Sequence, residues 1–538
     1  MFVRVKRVRT NGRDYAYLQV VETRRDRGRV HQHVIANFGR LDEIVASGEL
    51  DKIIAGLVEH SKTLQLIQRY RGGAIVAEWD KVWGPVLVFE RLWEDLGLKD
   101  LLRRLVRTGR LGFDFERAIF AIVLQRILAP GSDRAGAKWI HTVHAEGLDG
   151  LRLPNYYRAL RILWRKKVAI EQALYRKGLD LFNQPVDLVF FDTTSLYFEG
   201  LGPAGLAKLG KSKDHRPDHP QVVVGVLMRR DGLPIGCEVW PGNTADVTRL
   251  KEIVRLLRER FEIREVVVVC DRGMVSEKNL RDLEEIGFGY IVGVKMRGVR
   301  EVRTEVLSRA GRYQVVRENL SVKEVRVGER RYVVCFNPEE AAKDRSDREK
   351  ILAKLESKLA SGGIKRLIPN RGYRRYLKVA GGSFEINERQ VREEERFDGK
   401  YVLRTTTELP AEEVALAYKN LLWIERLFRD LKDLLETRPI FHHLVTENVK
   451  GHIFGCYLAL YLVVVMRKKI EALGKKVEWE DLIRDLSQLR AIRLQLEGRA
   501  YLLRTPFAGT AHAAFQAVGL RPPPLAQVLG DIGPTAEM

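Results

Sequence analysis

Two carboxylates each follow a run of apolar residues that predicts a buried strand. Asp192 comes after VFF in the fragment VFFDTTS, and Asp271 comes after VVVVC. A carboxylate at the end of a buried strand is held rigidly at the edge of a sheet, which suits a metal ligand. The alternative is that each aspartate only forms a turn, a common use of Asp after a strand. Two such residues, on strands in the order of one fold, favour a metal site.

A third candidate acid lies in the segment YKNLLWIERLFRDLK. Tyr418, Glu425 and Lys432 follow one another at intervals of seven residues, so on a helix they predict a single polar face. A carboxylate between a phenol and an ammonium suits both a metal ion and a phosphate. An ordinary amphipathic helix, with an apolar face that includes Leu421 and Phe428, explains the apolar stripe but not the polar one.

The elements around these residues predict an α/β core with a mixed sheet. Residues 185–299 indicate three strands, a helix, a strand, a helix and a further strand, with a hairpin turn at Asp231–Gly232. This is the order of a ribonuclease-H-like sheet. Residues 300–410 are β-rich and strongly charged. They predict an insertion domain, because the helix with Glu425 follows in residues 411–470 and completes the core.

The rest of the chain predicts smaller regions. Residues 1–75 alternate in strand-like pieces and then become helical, and residues 76–184 predict a helical region for contact with DNA or a second subunit. Residues 471–538 predict a helical C-terminal region. The apolar run Cys456–Met466 is too short to span a bilayer, so it predicts a core helix, and no membrane association is expected.

The charge of the chain indicates a polyanionic partner. Its 538 residues include 93 Lys and Arg against 71 Asp and Glu, a net charge of +22. Neutralisation of phosphates releases condensed counterions, which favours nucleic acid, although basicity alone also fits ribosomal proteins and membrane-surface binders. The four cysteines lack the paired spacing of a zinc site, and so few in a long chain favour a reducing cytoplasm.

Six fragments together resemble the DDE transposases of prokaryotic insertion sequences. They are FFDTTSLYFEG, GKSKDHRPDHPQVVVGVL, WPGNTADVTRL, CDRGMVSEKNL, YKNLLWIERLFRDLK and GHIFGCYLALYL, over roughly residues 186–466, and IANFGRLDE extends the resemblance towards the N-terminus. The branch that the chain is most similar to carries the helix signature Tyr-x2-Arg-x3-Glu-x6-Lys. Tyr418, Glu425 and Lys432 match this signature, whereas Leu421 stands at the position of its Arg.

The resemblance implies an enzyme that cuts and joins DNA. By position in the family motifs, Asp192, Asp271 and Glu425 would bind catalytic Mg²⁺, for which Mn²⁺ substitutes, and Tyr418 and Lys432 would contact DNA. Two divalent ions activate the attacking oxygen and stabilise the leaving oxygen of an in-line displacement. The enzyme would hydrolyse DNA at the ends of its element and join the 3′-hydroxyls to target DNA.

The expected partners are double-stranded DNA, namely the terminal inverted repeats and the target, and a second copy of the chain in a homodimer on that DNA. The expected location is the prokaryotic cytoplasm, with the nucleoid when DNA is bound. Two alternatives stay open: a ribonuclease-H-like nuclease that cuts without joining, and a catalytically silent DNA-binding derivative. Terminal inverted repeats beside the gene would favour the transposase over the nuclease.

A basic loop lies between the first two strands of the predicted core. Its residues Lys211, Lys213, His215 and Arg216 are predicted to hold the DNA backbone near the metal site. The alternative is a charged loop that only faces solvent.

Several further residues favour a structural interpretation. Asn243 and Thr244 are placed to cap the helix that follows them, and Trp423 is more typical of packing than of stacking on a displaced base. Three histidines have no convincing metal-site spacing and predict buried, hydrogen-bonded side chains instead; they are His442, His443 and His452.

Overall fold

The computed structural model describes residues 1–26, 29–58, 60–106, 111–182, 188–245, 249–263, 267–274, 276–362, 364–380, 383–441 and 444–531. The chain divides into two compact units. One comprises Met1–Asp80, Arg490–Pro506 and Pro523–Met538, and the other comprises Lys81–Leu489 and Phe507–Pro522. Helices and strands are numbered in chain order across both units.

The smaller unit begins with an antiparallel sheet in the order β1-β2-β3. Its elements are β1 (Phe2–Thr10), β2 (Arg13–Asp26), β3 (Arg29–Arg40), α1 (Leu41–Ala46), α2 (Glu49–Val58) and α3 (Lys62–Arg71). The turn between β1 and β2 is Asn11–Gly12, with φ of 52° and 78°. Positive φ at both turn residues matches the twist of a two-residue hairpin, which explains why Asn-Gly occurs here.

A second sheet of the smaller unit runs in the order β19-β18-β17-β4. Its strands are β4 (Ile75–Val82), β17 (Arg490–Leu496), β18 (Arg499–Arg504) and β19 (Ala526–Asp531). The prediction of a helical region from residue 471 is wrong for these last three strands. The fragment AIRLQLEGRAYLLR folds as a hairpin around Glu497–Gly498, both with positive φ, and this turn sets a strand period on either side of it.

The larger unit contains a ten-stranded sheet, and its first part follows the predicted element order. The elements are β5 (Leu188–Glu199), β6 (Gln221–Arg229), β7 (Pro234–Pro241), α10 (Arg249–Phe261), β8 (Val267–Cys270), α11 (Glu277–Ile286) and β9 (Gly289–Val294). Within this part the spatial order is β7-β6-β5-β8-β9. The β5–β6 and β6–β7 pairs are antiparallel, whereas β5–β8 and β8–β9 are parallel. The hairpin at Asp231–Gly232 is present between β6 and β7, and Gly232 has a φ of 85°.

Residues 300–410 are β-rich, and four of their strands belong to the sheet of the core, whereas two others, Leu377–Ala380 and Ser383–Ile386, form a separate two-stranded sheet. The strands β10 (Gln314–Arg317), β11 (Leu320–Val327), β12 (Arg330–Phe336) and β15 (Lys400–Thr405) continue the same sheet, because β15 pairs antiparallel with β9. This pairing covers an edge that β9 would otherwise present unpaired. The remaining elements of this segment are α12 (Pro338–Ala360), α13 (Arg371–Arg374), β13 (Leu377–Ala380), β14 (Ser383–Ile386) and α14 (Glu388–Glu395).

Helices supply the rest of the larger unit. They are α4 (Gly84–Asp95), α5 (Leu98–Leu105), α6 (Phe115–Leu128), α7 (Asp133–Trp139), α8 (Leu153–Arg165), α9 (Lys167–Phe182), α15 (Ala411–Lys419), α16 (Leu421–Arg429), α17 (Thr446–Ala472), α18 (Trp479–Ser487) and α19 (Ala511–Ala517). Short 3₁₀ turns occur at Ile140–Thr142, Arg272–Met274 and Ile364–Arg366, and π-helical turns at Val302–Val306 and Asp430–Leu434. A two-residue strand, β16 (Ile440–Phe441), pairs parallel with β5.

The apolar helix α17 lies in the core of the larger unit, where it packs on α6 and α8. By length and composition it could cross a membrane, but 94% of its most apolar stretch is buried inside the protein. A helix that is apolar on all sides is buried when it belongs to the core of a large domain. The core helix predicted around Cys456–Met466 is therefore confirmed.

Candidate active site

Two aspartates occupy equivalent positions on the neighbouring parallel strands β5 and β8. Phe190 lies opposite Val269 in this pair, and Asp192 and Asp271 stand two residues further along each chain. Residues two apart on a strand point to the same face of the sheet. Both carboxylates therefore project from the face on which Phe190 and Val269 pack into the helical core. The sheet register thus places the two acids side by side in the order of the strands.

The two strands differ at this point. Cys270 is the last residue of β8, so Asp271 follows a strand end, as predicted. The same prediction is wrong for Asp192, because β5 continues to Glu199. The continuation arises from β6, which pairs antiparallel with β5 from Asp192 opposite Val226 to Tyr197 opposite Gln221.

The third acid comes from the helical segment packed on this face. Ile424 and Phe428 of α16 are buried in the same apolar cluster as Phe190, while Glu425 is exposed. A cleft of about 260 Å³ lies between the strands and the helices. Its lining residues are Asp192, Asp271, Tyr401, Tyr418, Lys419, Leu421, Leu422 and Glu425. The structure therefore brings the three acids singled out from the sequence to one cleft.

Tyr418 orients Asp271. Its Oη donates a hydrogen bond to Oδ1 of Asp271 at 3.1 Å, and its ring stacks on Tyr401 with 5.9 Å between the ring centroids. Burial, reinforced by the Asp271 charge, raises the pKa of Tyr418, so the phenol remains a donor. Gly293 of β9 makes room for it, since a Cβ at that position would lie 2.4 Å from Tyr418 Oη.

Asp192 has both a backbone donor and a nearby cation. Its Oδ1 accepts a hydrogen bond from the backbone N of Thr193 at 2.7 Å and lies 3.6 Å from Nζ of Lys213. The same ammonium donates to the carbonyl oxygen of Thr193 and, at 3.2 Å, to its Oγ1. Lys213 is thus turned towards β5 and the candidate site.

The donor chemistry of the cleft fits a hard divalent cation, because Mg²⁺ prefers carboxylate oxygens. Within the part of the chain that the structure describes, no three His, Cys, Asp or Glu side chains are gathered closely enough to hold a metal ion between them. The three acids therefore form an open cleft rather than a closed coordination sphere.

The helix predicted to carry Tyr418, Glu425 and Lys432 is not continuous. It is divided at Asn420, between α15 and α16, and changes to a π-helical turn from Asp430 onward. Tyr418 and Glu425 still line one cleft. Lys432 is not among the residues that line it; its Nζ lies 2.7 Å from Oδ1 of Asp214, and only 10% of its side chain is exposed. Two of the three residues at the seven-residue spacing thus share the cleft, and the third is paired with a buried acid.

The basic loop lies beside the candidate site. Lys211 and Lys213 line a second cavity of about 350 Å³ together with the hydroxyl-bearing stretch Thr193–Ser195 of β5. Arg216 instead lies over the ring of Tyr197, with 5.2 Å from its Cζ to the ring centroid. His215 is exposed and has a φ of 57°. Two of the four loop residues are thus near the acids, and two are not among the residues that line either cavity.

The sequence favoured a structural role for three histidines and for Trp423, and the structure shows contacts for two of these four residues. His452 is buried, with Nδ1 3.2 Å from Arg126 Nη2 and Nε2 3.3 Å from the carbonyl oxygen of Thr437, so the prediction of a hydrogen-bonded core histidine is confirmed for it. His442 and His443 lie outside the described residues. Trp423, 44% exposed, lies against Gly232 of the β6–β7 turn.

The stretch Gly242–Thr244 shapes the second cavity. A Cβ at Gly242 would lie 2.1 Å from the carbonyl oxygen of Gln221 and 2.3 Å from that of Lys208, so only glycine allows this backbone approach. The backbone N of Thr244 donates to the carbonyl oxygen of Pro241 at 3.0 Å in a turn. Residues 246–248, between this turn and α10, lie outside the described residues, so the predicted cap stays a prediction.

Sequence reasoning gave no role to Tyr401, Lys419 or Asp214. Tyr401 and Lys419 line the cleft, and Asp214 holds Lys432. Tyr401 lies in an alternating strand and Asp214 in a charged loop, and neither pattern distinguishes them from neighbours that face solvent. The position of Tyr401 depends on the pairing of its strand, β15, with β9. The position of Asp214 is shown by its contact with Lys432.

Two family models match the chain. The family model "Transposase DDE domain" matches residues 186–462, and the model "IS1634 family transposase, N-terminal domain" matches residues 3–69. The first match spans more than half of the chain, so the chain belongs to the DDE transposases. Its N-terminal match is to an insertion-sequence family, which confirms the predicted resemblance to the DDE transposases of insertion sequences. The narrower branch with the Tyr-x2-Arg-x3-Glu-x6-Lys helix stays a prediction.

The solved structures include a distant likeness. It is the cryo-EM structure of a piggyBac transposase synaptic complex with hairpin DNA, with 11% sequence identity, a TM-score of 0.38, and coverage of 75% of this chain and 79% of that chain. No curated protein matches the chain.

Proposed function

We propose that this chain is the active transposase of an insertion sequence, which binds the ends of its element, cleaves DNA there and joins the 3′-hydroxyls to target DNA. The observation that carries the proposal is the convergence of Asp192, Asp271 and Glu425 on one cleft of a DDE transposase domain. The three acids come from two adjacent strands and a helix packed on them, so the fold itself holds them in place.

The arrangement of the core supports a ribonuclease-H-like sheet. Three antiparallel strands, β7, β6 and β5, are followed in space by the parallel strands β8 and β9. Asp192 then lies on β5 and Asp271 directly after β8, the two strands at the centre of this arrangement. Both strands of a central pair have a neighbouring strand on each side, which makes them rigid. Rigid strands suit carboxylates that must be held accurately to bind a metal ion.

Asp192, Asp271 and Glu425 would hold Mg²⁺ or Mn²⁺. When bound, two such ions activate the attacking oxygen and stabilise the leaving oxygen of an in-line displacement. The chain's own residues prepare this site. Tyr418 orients Asp271, and the backbone N of Thr193 orients Asp192. Three carboxylates facing one cleft repel one another, and a cation relieves that repulsion.

The DNA backbone would approach the acids along the side of the cavity lined by Lys211 and Lys213. The net charge of +22 supports a long polyanionic partner. Homodimer formation on DNA, a prokaryotic cytoplasmic location and the use of terminal inverted repeats are parts of the same proposal.

The test is an end-cleavage and joining assay with purified protein, Mg²⁺ and a duplex that carries the terminal inverted repeat found beside the gene. The proposal expects cuts at the repeat end and covalent joining of the new 3′-hydroxyl to a second duplex. Asp271→Asn should lose both products while the protein still binds the repeat. Cuts without any joined product would favour the nuclease, and repeat binding without cuts would favour the silent DNA-binding derivative.

A further inference from the structure

A buried acid, Asp214, holds two cations that come from the segment after α16. Its Oδ1 accepts a hydrogen bond from Lys432 Nζ at 2.7 Å and lies 3.1 Å from Nε of Arg438. The side chain of Asp214 is only 5% exposed and that of Lys432 only 10%. Charges so far from water need partners, and removal of one partner leaves the other uncompensated. Asp214 and Lys432 therefore depend on each other for charge compensation, and Arg438, whose side chain is 25% exposed, adds a second cation beside Asp214.

Asp214 is also next in sequence to the lysine that reaches the candidate active site. Nζ of Lys213 lies 3.6 Å from Oδ1 of Asp192, and the backbone N of Lys213 donates to Oγ of Ser195 at 2.8 Å. Consecutive residues share one peptide unit, so the buried carboxylate of Asp214 limits where the Lys213 backbone can lie. The cluster thus links the segment after α16 to the surroundings of Asp192.

We propose that Asp214 is a positioning residue, which joins the loop of residues 211–217 to Lys432 and Arg438 and thereby keeps Lys213 beside Asp192. Lys432 then acts through Asp214. This differs from the role that family resemblance implies for Lys432, contact with DNA, because its ammonium is engaged by Asp214 and nearly buried. The effect on catalysis rests on the proposed function, whereas the link to the loop does not.

Hydrogen exchange of the free protein tests the link without DNA or metal. Asp214→Asn and Lys432→Met should each cause amides of residues 208–217 to lose protection. The matched control is Asp433→Asn. Asp433 also binds Arg438, with Oδ1 2.9 Å from Nη2, but its side chain is 61% exposed and it lies outside the loop. Unchanged protection of the loop in both Asp214→Asn and Lys432→Met would overturn the proposal.

Cleavage kinetics test the consequence. Asp214→Asn and Lys432→Met should lower the cleavage rate at saturating DNA while the Kd for DNA stays close to the wild-type value. The double variant should be no slower than the slower single variant, because both changes break one connection. Lys432→Arg keeps the ion pair and should restore most of the rate. The proposal would be overturned if the losses in cleavage rate were additive and if Lys432→Met weakened DNA binding in the Asp214→Asn background. That result would mean that Lys432 contacts the DNA.

Asp214→Asn alone leaves Lys432 and Arg438 without their buried acid, which lowers the stability of the folded protein. The double variant replaces both Asp214 and Lys432 by neutral side chains, and Lys432→Arg keeps both charges of the pair. These two variants therefore separate the loss of the connection from a loss of stability. If the wild-type protein cleaves no DNA, the proposed function fails, and the exchange experiment still decides the structural link.

Discussion

Tyr418 and Asp271 are 147 residues apart in sequence, yet the Tyr418 phenol donates a hydrogen bond to Oδ1 of Asp271 over 3.1 Å. The bond connects the end of α15 to the end of β8, and so connects the two parts of the DDE domain that residues 300–410 separate in sequence. It fixes one oxygen of a candidate metal ligand and leaves the other oxygen available.

Replacement of that phenol should slow cleavage without preventing DNA binding. Tyr418→Phe keeps the ring stacked on Tyr401 and removes only the donor. A hydrogen bond to a charged group contributes about 1.5–3 kcal/mol, so a loss expressed wholly in the transition state would slow cleavage by about 10- to 160-fold. Single-turnover cleavage and a separate Kd measurement check this. Tyr401→Phe removes a phenol from the same stack without touching an acid and is the control. A raised Kd with an unchanged rate would instead place Tyr418 on the DNA.

Divalent cations should stabilise the folded protein through the candidate acids. An ion present at 100 times its Kd adds about 2.7 kcal/mol to the free energy of unfolding, provided that it binds only the native state. Thermal unfolding with Mg²⁺ or Mn²⁺ should therefore show a raised Tm, and Asp192→Asn should remove most of the rise. An equal rise in Asp192→Asn and in the wild type would mean that the ions bind elsewhere.

Local patterns predicted much of the larger unit. The hairpin at Asp231–Gly232 and the core helix around Cys456–Met466 each depend on turn chemistry or apolar periodicity within a short stretch. The extent of β5 beyond Asp192 could not be predicted in this way. Its polar continuation DTTS is a strand only because β6 pairs with it, and the addition of β15 to β9 is likewise a long-range pairing.

In the candidate site, too, local patterns identified some residues, whereas long-range contacts determine the surroundings of others. Asp192, Asp271 and Glu425 could be singled out because each stands at a recognisable place in a strand or helix pattern, and their catalytic roles stay predictions. The surroundings of Lys432 could not be predicted. Its partner Asp214 is 218 residues away, and a local helical pattern predicts neither the break at Asn420 nor the π-helical turn that contains Lys432.

The salt dependence of DNA binding should distinguish between residues of the basic loop. Lys211 is exposed and lines the cavity beside the acids, so Lys211→Gln should reduce the slope of log K against log salt by about 0.9 if one phosphate contact is lost. Arg216 lies over Tyr197 and contacts His219, so Arg216→Gln should leave the slope unchanged. Binding titrations at several salt concentrations check both. If Lys211→Gln left the slope unchanged and Arg216→Gln reduced it, Lys211 would be a solvent-exposed residue that does not contact DNA.

The cysteines should be unreactive in the native protein. All four are free and buried, and burial, reinforced by the charges of Asp192 and Asp271, raises the pKa of Cys270 to about 12. Since the thiolate is the reactive form, thiol reagents at mildly alkaline pH should label none of the four before denaturation and all of them after it. Rapid native labelling of Cys270 would show that the sheet beneath Asp271 is open to solvent.

Glu425→Gln tests the third acid. The substitution keeps the length, polarity and nearly the helix propensity of the side chain, and it removes the charge that a cation needs. Glu425 is exposed while its neighbours Ile424 and Phe428 are buried, so folding should survive, and the Tm without metal should stay near the wild-type value. Cleavage should fall by more than about 100-fold, the upper range for residues that only support a metal ligand.

Glu436→Gln is the matched control for this change. Glu436 is also exposed but is not among the residues that line the cleft, so its replacement should leave cleavage and the metal-dependent rise in Tm intact. If Glu425 only faces solvent, the two glutamine variants will behave alike. Cleavage by Glu425→Gln at close to the wild-type rate would refute the triad. Asp430 and Asp433 would not replace Glu425 readily, because Asp430 is paired with Arg467 and Asp433 with Arg438.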